Sequence, residues 1–141
     1  MPAVPTPCSV LVTEDDPAIR NLLSVALRRT DVTLMTATHE GEALELLERQ
    51  EWLVLVLDLM MPSVTGWEVI AWLGKHRDRK PNTVIVVTAT ERNLLQELDV
   101  TVVNAVIFKP FDVMQLAAYV KASCELGHED RRRSRVVSDD Q

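Results

Sequence analysis

Short runs of consecutive apolar residues alternate along this chain with segments whose apolar residues recur at helical spacing, and this alternation restricts the fold more than any other feature. Ser9–Thr13, Val32–Ala37, Leu53–Leu57 and Thr83–Val87 read as strands, and a β-branched stretch ends in a fifth at Val106–Phe108. Between them lie helical patterns at Pro17–Arg29, His39–Gln50, Gly66 to about His76 and, more weakly, Glu91–Leu98, with a last helix starting at Asp112. Asp16 before Pro17 marks the first helix start, because an aspartate caps and a proline suits the first helical position. Thr65 and Glu68 have capping-box spacing. Strands that are apolar throughout, separated by helices, imply a parallel sheet covered by helices on both faces, an α/β doubly wound fold of five strand–helix units with right-handed crossovers.

The chain's 141 residues suit one domain with a core of its own. No apolar run approaches the ~18 residues of a membrane span, and Met1–Pro7 lacks the basic and apolar regions of a signal peptide. A cytoplasmic protein is expected. A net charge of −6 argues against non-specific nucleic-acid binding by the domain itself. Residues 1–8 read as a disordered leader and residues 128–141 as a charged disordered tail or the start of a linker, around a folded unit at 9–127. Arg131, Arg132, Arg133 and Arg135 fall in that tail among acidic neighbours. Cys8 and Cys124 have no metal-ligand spacing and read as ordinary thiols of a reducing compartment. His39, His76 and His128 are scattered and read as solvent-facing.

A doubly wound sheet binds its ligands at the carboxyl ends of its strands. Glu14, Asp15 and Asp16 follow the first strand, Asp58 the third, Thr88 the fourth, and Lys109 the fifth. Carboxylates, a hydroxyl and an ammonium from four separate segments therefore meet at one edge. Clustered carboxylates repel and call for a cation, and oxygen ligands without His or Cys suit Mg²⁺. Beside them a carboxylate can act as a nucleophile toward phosphorus, with Lys109 and Thr88 positioned for phosphoryl oxygens.

The segments VLVTEDDPAIR (10–20), VLVLDLMMPSVTGWEVI (54–70), VIVVTAT (84–90) and FKPF (108–111) resemble the receiver domains of two-component response regulators, over about residues 9–126. The resemblance implies a chemotaxis-regulator-like, flavodoxin-like fold with strand order 2-1-3-4-5. It implies Asp58 as phospho-acceptor, Thr88 and Lys109 as its catalytic helpers, and Mg²⁺ held by Glu14, Asp15, Asp58 and the backbone carbonyl of Met60. Asp16 then serves as the helix cap, Pro110 as a cis-bonded proline that aims the lysine, and Pro62 and Gly66 as the turn into the third helix. The implied phosphodonor is a sensor histidine kinase or a phosphotransfer protein. The implied activity is that of a signalling switch rather than an enzyme, with catalysis confined to its own phosphorylation and dephosphorylation. Met60 and Thr90 occupy the two positions that tune hydrolysis in the family. With no effector domain after residue 127, the reading expects either a single-domain regulator or a piece of a longer chain.

Several residues depart from that pattern. Val106 stands where the family usually carries an aromatic ring, and valine is small and stiff. Val102 and Val103 replace the usual Gly-Ala, and the interval from Thr88 to Lys109 is about one residue short, so the fourth helix is expected to be short or irregular. The alternative reading is a receiver-fold interaction module with an atypical or lost phosphorylation response. A dehalogenase-like phosphatase needs an acid two residues beyond its nucleophile, where this chain has Met60. A flavin-binding relative would need a Ser/Thr/Gly-rich loop after the first strand, which is missing.

Overall fold

A computed structural model of the chain describes residues 8–28, 32–59, 66–89 and 96–139. Strands β1 (Cys8–Thr13), β2 (Val32–Ala37), β3 (Val54–Asp58), β4 (Thr83–Thr88) and β5 (Ala105–Phe108) form one sheet in the order β2-β1-β3-β4-β5. All four pairings are parallel. Helices α1 (Pro17–Arg28), α2 (Glu40–Arg49), α3 (Gly66–Lys75) and α4 (Val113–Asp139) connect and cover the strands. The fold class and strand order expected from the sequence are those observed.

Side chains alternate across a strand, and here each set has its own helices. Leu11, Leu55, Leu57, Val84 and Val86 pack with Ala43 and Leu47 of α2 and Val69, Ile70 and Leu73 of α3. Val10, Val12, Val54, Val56, Ile85 and Val87 pack on the other side with Leu23 and Leu27 of α1 and Leu116, Ala117 and Val120 of α4. Trp52 is buried at the entry to β3, and its indole N–H donates to the carbonyl of Leu46 at 2.8 Å.

Caps set the helix starts. Asp16 Oδ1 accepts from the N–H of Ala18 at 2.9 Å, and Asp112 Oδ1 from that of Met114 at 2.8 Å. His39 is exposed, as expected, and its Nδ1 accepts from the N–H of Glu42 at 3.2 Å, so it caps α2.

Three expectations are corrected. Cys8 is the first residue of β1 rather than the end of a leader. Helix α4 continues through Asp139, so the tail expected to be disordered from 128 is helical in its backbone; after Gly127 the sequence offers neither proline nor glycine to stop it. Cys8 and Cys124 are not free thiols but a disulfide, with Cα atoms 5.6 Å apart. They are 116 residues apart in sequence, and only the packing of α4 against the layer holding β1 brings them together. Residues 1–7 lie outside the described residues, as do 90–95, which carry most of the expected fourth helix. Among the described residues no α-helix stands between β4 and β5. No helix there is long and apolar enough to cross a membrane.

Leu55 is the second residue of the central strand β3, fully buried, opposite Leu11 and Val84. Leu55→Ala should cost about 3 kcal/mol of unfolding free energy, through lost transfer energy and the cavity left behind. The urea midpoint at constant slope measures this; a loss under about 1 kcal/mol would show that the layer collapses around the gap.

Candidate functional site

Four strands deliver the site from their carboxyl ends. β1 ends at Thr13, and Glu14 and Asp15 follow; β3 ends on Asp58, β4 on Thr88, and Lys109 follows β5. Parallel register sets these ends side by side, with Thr13 opposite Leu57, Asp58 opposite Val87 and Thr88 opposite Phe108. The backbone stays paired where the side chains diverge. Glu14 N–H donates to Ala37 at 3.1 Å, Leu59 N–H to Val87 at 3.2 Å and Lys109 N–H to Thr88 at 2.9 Å.

The chemistry is concentrated in a small volume. Glu14, Asp15 and Asp58 each offer a carboxylate oxygen, all within 4.8 Å of one another. Lys109 Nζ lies 3.0 Å from Glu14 Oε1 and 3.0 Å from Asp58 Oδ2. Glu14 and Asp58 are 2 % and 1 % exposed, so one ammonium serves two carboxylates that water barely reaches. Thr88 is fully buried on the neighbouring strand, one position past the residue opposite Asp58.

The titration behaviour follows. Burial raises the Glu14 carboxyl; the hydrogen bond from Lys109 opposes the rise and the charge on Asp58 adds to it, leaving it at about 7. Burial also works against the charge on Lys109, but its hydrogen bonds to Asp58 and Glu14 outweigh this and hold its pKa above the usual lysine range. A hard divalent cation fits the donors, since all three are carboxylate oxygens and the buried pair carries more negative charge than one lysine balances.

The structure brings together Glu14, Asp15, Asp58, Thr88 and Lys109, all expected from the sequence. The carbonyl of Met60, and Pro62, Thr65 and Thr90, lie outside the described residues. The Lys109–Pro110 bond is cis. Two supports escaped the sequence reading. Thr13 Oγ1 donates to the carbonyl of Val56 at 3.2 Å and accepts from the N–H of Asp58 at 3.2 Å, tying the end of β1 to the backbone at Asp58. Inside an apolar strand it reads as one more β-branched residue. Arg20 Nη1 donates to the carbonyl of Glu14 at 3.0 Å; its place one turn into α1 was the available signal. Gly66 has a steric role, because a Cβ there would lie 2.7 Å from the carbonyl oxygen of Asp58 and 2.9 Å from Leu59 Cα.

Glu14 gives a testable pH dependence. With a folded pKa near 7 against 4.5 unfolded, the folded chain holds the extra proton between those values. Its contribution to stability is full below the unfolded pKa and is lost as pH rises toward 7. In buffer free of divalent cations, the melting temperature should fall from pH 5 to pH 7.5, and Glu14→Gln should flatten that fall; the same slope in the variant would locate the titration elsewhere.

Comparison with known proteins agrees with this geometry. The model of the response regulator receiver domain family matches residues 10–121. The transcriptional regulatory protein AfsQ1 of Streptomyces coelicolor is 31 % identical over 127 residues, which are 86 % of this chain and 53 % of that protein. The chain thus spans about half the length of the relatives it matches. Among solved structures, a CheY-like response regulator receiver domain protein of Methanospirillum hungatei superposes with a TM-score of 0.77 at 21 % identity, over 87 % of this chain and 98 % of that one. The response regulator TrrA of Thermotoga maritima, in complex with Mg(2+)-BeF, superposes with a TM-score of 0.69 at 27 % identity, over 82 % of this chain and 98 % of that one.

Proposed function

The chain belongs to the response regulator receiver domain family, and from that premise we propose that it is a phosphorylation switch in which Asp58 accepts a phosphoryl group. The observation that carries the reading is Lys109, 3.0 Å from both Asp58 and Glu14 and next to Thr88 at the edge where four strands end. A carboxylate oxygen of Asp58 attacks phosphorus in line, the donor's P–N bond breaks as the new O–P bond forms, and the product is an acyl-phosphate. Lys109 gives up its bond to Glu14 and directs its ammonium to a phosphoryl oxygen. The Thr88 hydroxyl donates to another. Glu14, Asp15, Asp58 and the carbonyl of Met60 are the residues that would hold Mg²⁺, which supplies charge neutralisation for the phosphoryl oxygens. Thr13 and Gly66 keep the backbone at Asp58 fixed during the transfer.

The donor in this reading is the phosphohistidine of a sensor kinase or phosphotransfer protein, and the same site then hydrolyses its own acyl-phosphate. The switching unit extends from β1 to about Gly127, and the cytoplasm is its proposed compartment. The net charge of −6 gives no support for direct nucleic-acid contact by this unit. One observation favours a second reading, an interaction module with an altered response. Val106, opposite Val86, packs against the cluster that contains Leu98, Val102 and Val103 and has no ring to reorient.

Two measurements test these readings. With Mg²⁺ and a small-molecule phosphodonor, intact mass should show one added phosphoryl group on the wild type and none on Asp58→Asn. An unmodified wild type would favour the interaction module. Hydrogen exchange with and without a bound phosphate mimic should change after Asp58 and Thr88 and stay nearly constant at Val106–Phe108, since a ligand shifts only elements with which it interacts differently in two states. A large change in β5 would show that valine supports the ring-based route after all.

A further inference from the structure

The disulfide lies at the opposite end of the sheet from the acidic site. Cys8 opens β1, and Cys124 lies in α4 three residues before Gly127, where a Cβ would touch Leu53 and Asn82 at the amino ends of β3 and β4. From Cys8 to Thr13, β1 rises ~17 Å. From Val113 to Cys124, α4 descends ~16 Å. The two elements therefore match in length; the sulfur–sulfur bond joins them below, and above them the Lys109–Glu14 ion pair ties the residue after β1 to the residue after β5.

We propose that Cys8 and Cys124 form a reversible thiol–disulfide modification site, oxidised by low-molecular-weight disulfides, whose closure clamps the middle of α4 to β1. Two conditions for reversibility are met. The first is that the thiols stay apposed without the bond. Both are buried, 2 % and 6 % exposed, in an apolar cluster with Val10, Leu23, Leu27, Leu53 and Val120 that holds α1, α4 and the sheet together regardless of the sulfur atoms. A free cysteine in such a place behaves as a small apolar residue, so the dithiol chain folds and its sulfurs remain paired for closure. The second is access. Ser123, Cys124 and Gly127 are buried while Glu125 and Leu126 are exposed, Leu126 at 61 %, so this stretch borders solvent along one face. Fraying of this stretch opens the bond to a small thiol without unfolding the sheet.

The chemistry balances. A thiolate of one cysteine attacks a sulfur of the small disulfide and expels one small thiolate. The second cysteine's thiolate attacks the mixed disulfide and expels the other. The protein loses two electrons and two protons, and two small thiols leave carrying them. The bond closes a loop spanning 116 residues, which restricts the unfolded chain far more than the folded one.

The test uses the full chain in both forms, reduced with dithiothreitol under native conditions and reoxidised with hydroxyethyl disulfide. Reduction should expose two thiols, lower the melting temperature by on the order of 10 °C, and speed amide exchange in residues 119–127 roughly tenfold. Reoxidation should return a species two hydrogens lighter, without adduct, and restore both properties. Cys8→Ala and Cys124→Ser should each behave like the reduced form whatever the redox conditions. The proposal is overturned by a bond that native dithiothreitol cannot open, by stable mixed adducts in place of closure, or by a closure that leaves exchange in α4 unchanged. Phosphoryl uptake is not part of the readout, so failure here leaves the switch reading intact.

Discussion

Glu14 and Asp58 share one ammonium at the end of a sheet, and nearly every other feature of the upper edge exists to make that tolerable. Withdrawing a single carboxylate from water costs several kcal/mol unless it is paired and hydrogen-bonded. This chain withdraws two of like sign and places them close enough that Lys109 reaches both at 3.0 Å. The lysine comes from 95 positions away in the sequence from one partner and 51 from the other. Its arrival therefore depends on β5 docking on β4 and on β3 lying between β4 and β1. The site is complete only when the sheet is, so acidic charge and fold topology are coupled. The residual imbalance shows in Glu14, whose carboxyl is raised by burial to about 7. A cation entering the cluster must compete with that proton.

The two helical layers divide the molecule unequally. The α2–α3 layer receives Val106 together with Leu98, Val102 and Val103 from the segment before β5, and aliphatic side chains fill that corner. The α1–α4 layer receives the segment after Lys109, which passes through Pro110 and the Asp112 cap directly into α4. The ammonium that bridges the two carboxylates is thus three residues from the cap of α4, while on the side facing α2 and α3 strand β5 presents Val106. Val106 and the Asp112 cap each lie three residues from Lys109, so the covalent path from the ammonium is as short into one layer as into the other.

The parts of this structure that were legible in the sequence are those governed by local pattern. Continuous apolar strands between amphipathic helices gave the parallel sheet, and a parallel sheet puts whatever follows each strand at one edge; hence Glu14, Asp15, Asp58, Thr88 and Lys109 could be named before any coordinates. The parts that stayed hidden depend on distant partners or on composition that points two ways. Cys8 and Cys124 have no local signature linking them, because their proximity is a product of where α4 crosses the sheet. Thr13 looks like any β-branched strand residue until its hydroxyl is seen between Val56 and Asp58. The charged stretch after Gly127 reads as solvated tail by composition, yet Glu and Arg are good helix formers, and nothing in it terminates a helix already under way.

Helix α4 has 27 residues, a rod of ~40 Å at 1.5 Å per residue. The sulfur–sulfur link falls on its twelfth residue, Cys124, ~16 Å along the axis from Val113, and Leu116, Ala117 and Val120 seat the stretch between on the sheet. A stiff beam pinned at one point converts angle into distance: a tilt of ~5° about Cys124 carries the Val113 end ~1.4 Å, comparable to the shifts by which packed elements exchange discrete arrangements. The link therefore governs how freely the beam pivots rather than how far its end travels for a given angle.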